Sequence, residues 1–275
     1  MQRISLYRYL GIACSLVSFF AAGVSIASSQ TRLLAIGSST VAPVMAELVR
    51  KYETLQQAVR IDVQTGGSSR GVADTASGQS DIGMVSRALK PAEYNLYAYT
   101  IANDGIAVIV HRDNPLTAID KFTLQGIYNR TLREWTQLGG SAGQIVVVNK
   151  SAAHSTLELF LDYIELSPDQ VKADIIIGDN QQGIKTITGN RFAIGYVSIG
   201  AALEAQQAGI AIKLLRLDGV EPTVGAVSHG SYPIIRPLNL VTRQPATGAI
   251  GEFIRFAGSA AGAAIIESLS FIPVQ

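Results

Sequence analysis

The chain is poor in cysteine, in aromatic residues and in charge. Its only cysteine, Cys14, lies within the first thirty residues, so the rest of the chain can form no disulfide. Charged residues make up 16 % and aromatic residues 7 %, and the formal net charge is +1. So weak a field attracts neither nucleic acid nor anionic lipid, and recognition of an anion has to come from local geometry. The three histidines, His111, His154 and His229, lack metal-ligand spacing, so neither a zinc centre nor any other cofactor is expected. Low-complexity tracts and short-period repeats are missing as well. What remains is 275 residues, 48 % hydrophobic and rich in Gly and Ala, enough for two modest lobes.

The first thirty residues read as a targeting segment. Arg3 and Arg8 give a basic start, Leu10 to Ile26 is largely apolar, and Ser25-Ile26-Ala27 offers a small-residue cleavage site. Export with cleavage near Ala27 is the expectation. A retained anchor is the alternative, because the apolar run approaches spanning length, but Ser15, Ser18 and Ser25 weaken it. Lipid attachment at Cys14 is a second alternative, set back by the lack of a preceding apolar run and of a leucine three residues before it.

From Thr31 onward strand and helix patterns alternate, which argues an α/β fold with parallel or mixed sheets. Leu33–Ile36 reads as a strand. Val44, Met45, Leu48, Val49 and Tyr52 then follow at helical spacing behind a cap at Ser39 or Thr40. Val59–Thr65 is a second strand, and Ile106–Val110 is a continuous apolar one that Asp104-Gly105 introduces. The polar turn His111–Pro115 is a candidate crossing between lobes. Near the end, SYPIIRPLNLVT reads as a return strand and 248–268 as a closing helix.

Three turns share one layout, in which a strand runs into a small hydroxyl-bearing turn and then a helix start. They are GSSTVAP (37–43), GGSSRG (66–71) and NKSAAHSTLELF (149–160). Such a turn aims backbone N–H groups, hydroxyls and the positive end of a helix dipole at one spot, which favours an anion. Arg87 and Lys150 each lie where a short strand meets a Ser-bearing turn, as an anion clamp requires, and His154 sits inside the third turn. Asp104 either caps a turn or enters the cleft as an acceptor.

Two other motifs compete. Gly67, Ser69 and Gly71 spell the GxSxG of a nucleophile elbow, and chain order permits Asp179 or Asp218 and then His229 as triad partners. So short a pattern arises readily in Gly/Ser-rich turns, and a donor-lined turn is the preferred reading. GDNQQGIKT (178–186) resembles a P-loop, but Lys185 falls one residue late for the phosphates. It reads as a helix cap and turn.

In order, GSSTVAP, GGSSRG, DIGMVSR (81–87), DGIAVIVHRDNP (104–115), the Trp–GG segment (123–140) and IGYVSIG (194–200) resemble the periplasmic phosphate-binding proteins of bacterial ABC importers. The resemblance spans about residues 31 to 275. It implies a two-lobed type II binding-protein clamshell, each lobe a mixed sheet flanked by helices, joined by a two-strand hinge. Lobe 1 is expected at 31–110 plus 222–275 and lobe 2 at 111–221.

The first-loop donors of the family fall on Ser39 and Thr40, the second-loop serine on Ser68 or Ser69, and the third motif on Ser86 and Arg87. In the second lobe, Lys150 stands where many relatives carry Arg, His154 and Ser155 replace a Ser-Gly, and Thr156 matches. Lysine cannot supply the bidentate fork of arginine. Asp104 substitutes for an aspartate that some relatives place after the serine of the third motif. There it would accept the proton that phosphate keeps and sulfate lacks.

No catalytic residue is implied. The implied ligand is inorganic phosphate, the implied partner a membrane permease, and the chain is expected to be periplasmic and monomeric. Receptors for sulfate or phosphonate, sensors without transport, and a hydrolase using Ser69 are the alternatives.

Overall fold

The computed structural model describes Gln30–Val274. Export, cleavage near Ala27 and lipid attachment at Cys14 concern residues outside that range. In chain order the first part comprises β1 (Thr31–Gly37), α1 (Val41–Leu55), β2 (Val59–Thr65), α2 (Ser68–Ser77), β3 (Ile82–Val85) and β4 (Tyr97–His111). The middle holds β5 (Ala118–Ile119), α3 (Lys121–Tyr128), β6 (Val146–Lys150), α4 (Ser155–Ile164), β7 (Ile175–Ile177), α5 (Asn180–Gly189), β8 (Ala193–Ser198) and α6 (Ile199–Gln207). The chain closes with β9 (Ile212–Leu214), β10 (Arg216–Leu217), α7 (Val224–Ser228), β11 (Ile235–Thr242), α8 (Gly248–Ala257), α9 (Ala260–Ser268) and β12 (Ile272–Pro273).

The main strand order is β2-β1-β3-β11-β4-β8-β6-β7, with β9 and β12 also on β4. Parallel neighbours β2-β1-β3 and β8-β6-β7 flank the antiparallel centre formed by β11, β4 and β8. This is a mixed α/β fold. β4 joins its two halves: Tyr97–Gly105 pairs with β11, and Ile106–Val110 pairs with β8. The expected strand therefore begins earlier than its apolar run, and Asp104 lies inside it rather than at its start.

Two apolar cores follow this division. One gathers residues from Leu33 to Ala102 and from Leu238 to Phe271, the other from Ile106 to Ile234. Ile106–Val110 and Val227–Ile234, expected in the first lobe, thus pack in the second core. Pairing with β8 carries that half of β4 across. In the first core α1 buries Val44, Met45 and Leu48 completely, each worth about 1.5–3 kcal/mol. In the second, Phe160 and Tyr196 stack at 3.7 Å and Tyr128 packs against both, behind β6.

Local chemistry sets the helix ends. Ser38 rather than Ser39 or Thr40 caps α1, its Oγ accepting from the N–H groups of Thr40 and Val41. The expected closing helix is two, because Ser259 Oγ accepts from Gly262 N and starts α9 in a new direction. Among the described residues no single helix is long and apolar enough to cross a membrane.

Candidate functional site

The three hydroxyl turns converge where the two cores meet. β1 delivers Ser38 to the start of α1, and Ser38 N donates to Met84 O at 2.8 Å on neighbouring β3. At Gly37, with φ +145°, a Cβ would lie 2.1 Å from that same carbonyl, so this close approach requires glycine. Ser68 is the first residue of α2, Ser86 follows β3, and Ser155 is the first residue of α4 in the other lobe.

Their side chains form one buried cluster. Ser38 Oγ donates to Ser86 Oγ at 2.8 Å, Ser86 and Ser155 hydroxyls lie 2.8 Å apart, and Ser68 and Ser155 hydroxyls 3.0 Å apart. Ser86 N also donates to Ser68 Oγ at 3.1 Å. Hydroxyls that satisfy one another can rotate to donate to an anion instead.

A charged network adjoins the serines. Arg236, on β11, is fully buried. Its Nε and Nη2 donate to Asp104 Oδ2 at 3.0 and 2.8 Å, its Nη1 to Thr156 Oγ1 at 2.8 Å, and its Nη2 also to Thr40 Oγ1 at 3.1 Å. Asp104 Oδ1 accepts from Gly200 N at 3.3 Å, at the start of α6. Lys150 Nζ donates to Asn180 Oδ1 at 3.0 Å, and Asn180 Nδ2 donates to Thr40 Oγ1 at 3.1 Å. Thr40 and Thr156, from opposite lobes, are thus held by one guanidinium.

Burial, and then the Arg236 charge, push the Lys150 ammonium down to about 7, against the opposing pull of Asp179. Burial and then Lys150 also lower His154, so its imidazole is neutral at neutral pH. A neighbouring anion would act in the opposite direction on both groups, favouring their protonated forms. Among the described residues no group of three or more His, Cys, Asp or Glu could hold a metal ion.

The expected residues divide. Thr40, Ser68, Ser86, Lys150, Ser155 and Thr156 come together in the buried cluster. Ser39 lines a recess beside it, half-buried. Ser69 is half-buried in the first turn of α2, with its N–H 3.4 Å from Ala153 O across the lobes, and His154 precedes α4 half-buried. Asp104 is in place but engaged on both oxygens, by Arg236 and by Gly200 N, rather than held free as an acceptor.

Arg87 turns away from the serines. Its Nη1 and Nη2 donate to Glu93 at 2.6 and 2.8 Å, and its Nε lies 3.1 Å from Glu158 of α4. Burial alone would lower its pKa; the Glu93 hydrogen bonds and the two carboxylate charges raise it instead. Lys90 joins Glu158 at 2.6 Å, so this set ties the lobes at the rim.

Sequence reading passed over Ser38, Asn180 and Arg236. Arg236 did leave a signal, a lone cation inside an apolar return strand. Ser38 and Asn180 were hidden among equivalent neighbours in their turns.

The fold and the site define a two-lobed binding protein with an anion-ready pocket between the lobes. The model of the PBP superfamily domain matches residues 24–261, and the chain belongs to that family. A Clostridium perfringens chain, described as a phosphate ABC transporter substrate-binding protein and solved with bound phosphate, superposes with a TM-score of 0.83 at 30 % identity, over 89 % of this chain and 100 % of that one. An ABC-type phosphate transport receptor from Vibrio cholerae gives 0.71 at 28 % identity, over 87 % and 99 %. The phosphate-binding protein PstS of Borreliella burgdorferi is 26 % identical over 249 residues, 87 % of this chain and 88 % of its own length.

Proposed function

We propose that the chain is an exported receptor that captures inorganic phosphate between its lobes and delivers it to an ABC-type permease. One observation carries the reading: Ser38, Ser68 and Ser86 of one lobe meet Ser155 of the other beside the buried cations Arg236 and Lys150. A multiply charged oxyanion stripped of water needs nearly every oxygen satisfied, and hydroxyls, helix N–H groups and cations supply that here. The relatives described as phosphate-binding proteins support the same ligand.

Closure is a population shift driven by contacts that only the closed form makes. Binding rather than catalysis is the role proposed, in keeping with the relatives described as phosphate-binding and substrate-binding proteins. Delivery in the periplasm after cleavage near Ala27, as a monomer, completes the proposal.

The test is a thermal-shift and calorimetry series with phosphate, arsenate and sulfate on the mature chain. Phosphate raises the melting temperature with concentration if it binds only the folded form. A protein indifferent to millimolar phosphate but responsive to sulfate would reassign the ligand.

A further inference from the structure

Thr40 joins the serine cluster to the charged network. Its N–H donates to Ser38 Oγ at 3.1 Å, and its Oγ1 accepts from Arg236 Nη2 and from Asn180 Nδ2, each at 3.1 Å. A hydroxyl has two lone pairs and one proton. Both lone pairs of Thr40 are thus taken, and among the described residues no acceptor takes the proton. Thr40 is buried, and a donor sealed from solvent is costly to leave unspent. An oxyanion lying among the serines is the acceptor that would use it.

Of the two donors that fix this polarity, Arg236 carries charge and Asn180 reaches across from the second lobe. The orientation of the Asn180 amide follows from chemistry. Lys150 can only donate, so the amide oxygen faces its Nζ, at 3.0 Å, and the amide nitrogen is left to face Thr40. The same oxygen lies 3.4 Å from Ser198 N. Asn180 opens α5, whose cap Asp179 accepts from Gln182 N at 2.7 Å, so its backbone is fixed as well. A leucine here could not donate. An aspartate would accept from Thr40 and draw its proton away from the ligand.

We propose that Asn180 is a positioning residue for anion capture, acting through Thr40: from the opposite lobe it commits the Thr40 hydroxyl to donating. The inference rests on the oxyanion-receptor reading above.

The experiment is isothermal calorimetry of the mature chain with phosphate. Asn180→Ala is introduced into wild type, Thr40→Val and Thr40→Ser, and urea unfolding of each unliganded protein is followed alongside. In wild type, Asn180→Ala is expected to weaken phosphate binding by about tenfold or more, the scale of one hydrogen bond to a charged group. In Thr40→Val, which has no hydroxyl to orient, the same change should cost less than about threefold. In Thr40→Ser the hydroxyl returns, and the full cost with it. A residue that only supports the fold would show one cost in all three backgrounds, in step with the loss in urea midpoint. Asn180→Leu, closer in volume to asparagine, replaces Asn180→Ala should that variant unfold. Equal costs in the three backgrounds, or phosphate affinity untouched by Asn180→Ala, overturns the inference and leaves the phosphate reading standing. If wild type ignores phosphate, the receptor reading fails and this inference with it.

Discussion

Asp104 and Arg236 stand opposite each other in the antiparallel register of β4 and β11, with Arg236 Nη2 2.8 Å from Asp104 Oδ2 and both side chains sealed from solvent. Asp104 therefore orients the cation. Removing one partner of a buried pair leaves an uncompensated charge, at a cost of about 3–5 kcal/mol. Asp104→Ala is expected to lose that much in urea unfolding. The double variant Asp104→Leu/Arg236→Met should recover most of it and still fail to bind phosphate. A double variant as unstable as the summed singles would show that the pair is not what costs Asp104→Ala its stability.

Lys150 gives a pH signature. Its folded pKa is depressed to about 7, below the unfolded value, so between about pH 7 and 10 the unfolded chain binds more protons. The stability penalty of charging Lys150 is present in full below that window and disappears as pH rises through it. Lys150→Met is expected to flatten this part of the stability curve, read as urea midpoint against pH. An arriving anion favours the ammonium, so near pH 8 wild type should take up more protons on binding phosphate than Lys150→Met does. Calorimetry in buffers of different ionisation enthalpy measures the difference, and equal uptake would remove Lys150 from the site.

His154 is pushed down by burial first and by Lys150 second. Protonation should strengthen anion binding only on the acid side of the ordinary histidine range. Phosphate affinity of wild type and His154→Gln is expected to run parallel at neutral pH and to diverge only on the acid side of the ordinary histidine range. Curves parallel throughout would place His154 outside the anion's field.

The closing contacts separate from folding at Gly67. Its φ is +89°, and a Cβ there would lie 2.2 Å from Ala153 O in the facing lobe. Gly67→Ala is expected to cost only about 1–2 kcal/mol of stability, from the left-handed backbone, while reducing phosphate affinity at least tenfold by holding the lobes apart. Unchanged affinity would mean that closure leaves more room there.

Glu158 forms the rim tie to Arg87 and Lys90. Glu158→Gln should speed phosphate release by about three- to tenfold, with a weaker salt dependence than wild type, because the pair is only partly screened. Stopped-flow release at two ionic strengths tests this, and an unaltered rate would relegate the tie to a surface ornament.

Most elements were legible because strand and helix periods are local, and the three hydroxyl turns because small residues cluster there. What escaped depended on rotation within a turn. Nothing local tells whether Ser38 or Ser39 faces inward; the carbonyl of Met84 on β3 decides it. Arg87 looked like a clamp until Glu93, six residues on, and Glu158, far along the chain on α4, claimed it. Asn180 disappeared into a helix start whose cap, Asp179, was the more conspicuous residue.

β4 passes from one core to the other without a break, so the lobes share a beam rather than a flexible joint. Any swing has to come from torsion of β4 and of its partner β11, and Asp104 and Arg236 lie at that axle, where displacement is smallest. The one guanidinium at that axle holds a hydroxyl from either side of it, Thr40 from one lobe and Thr156 from the other.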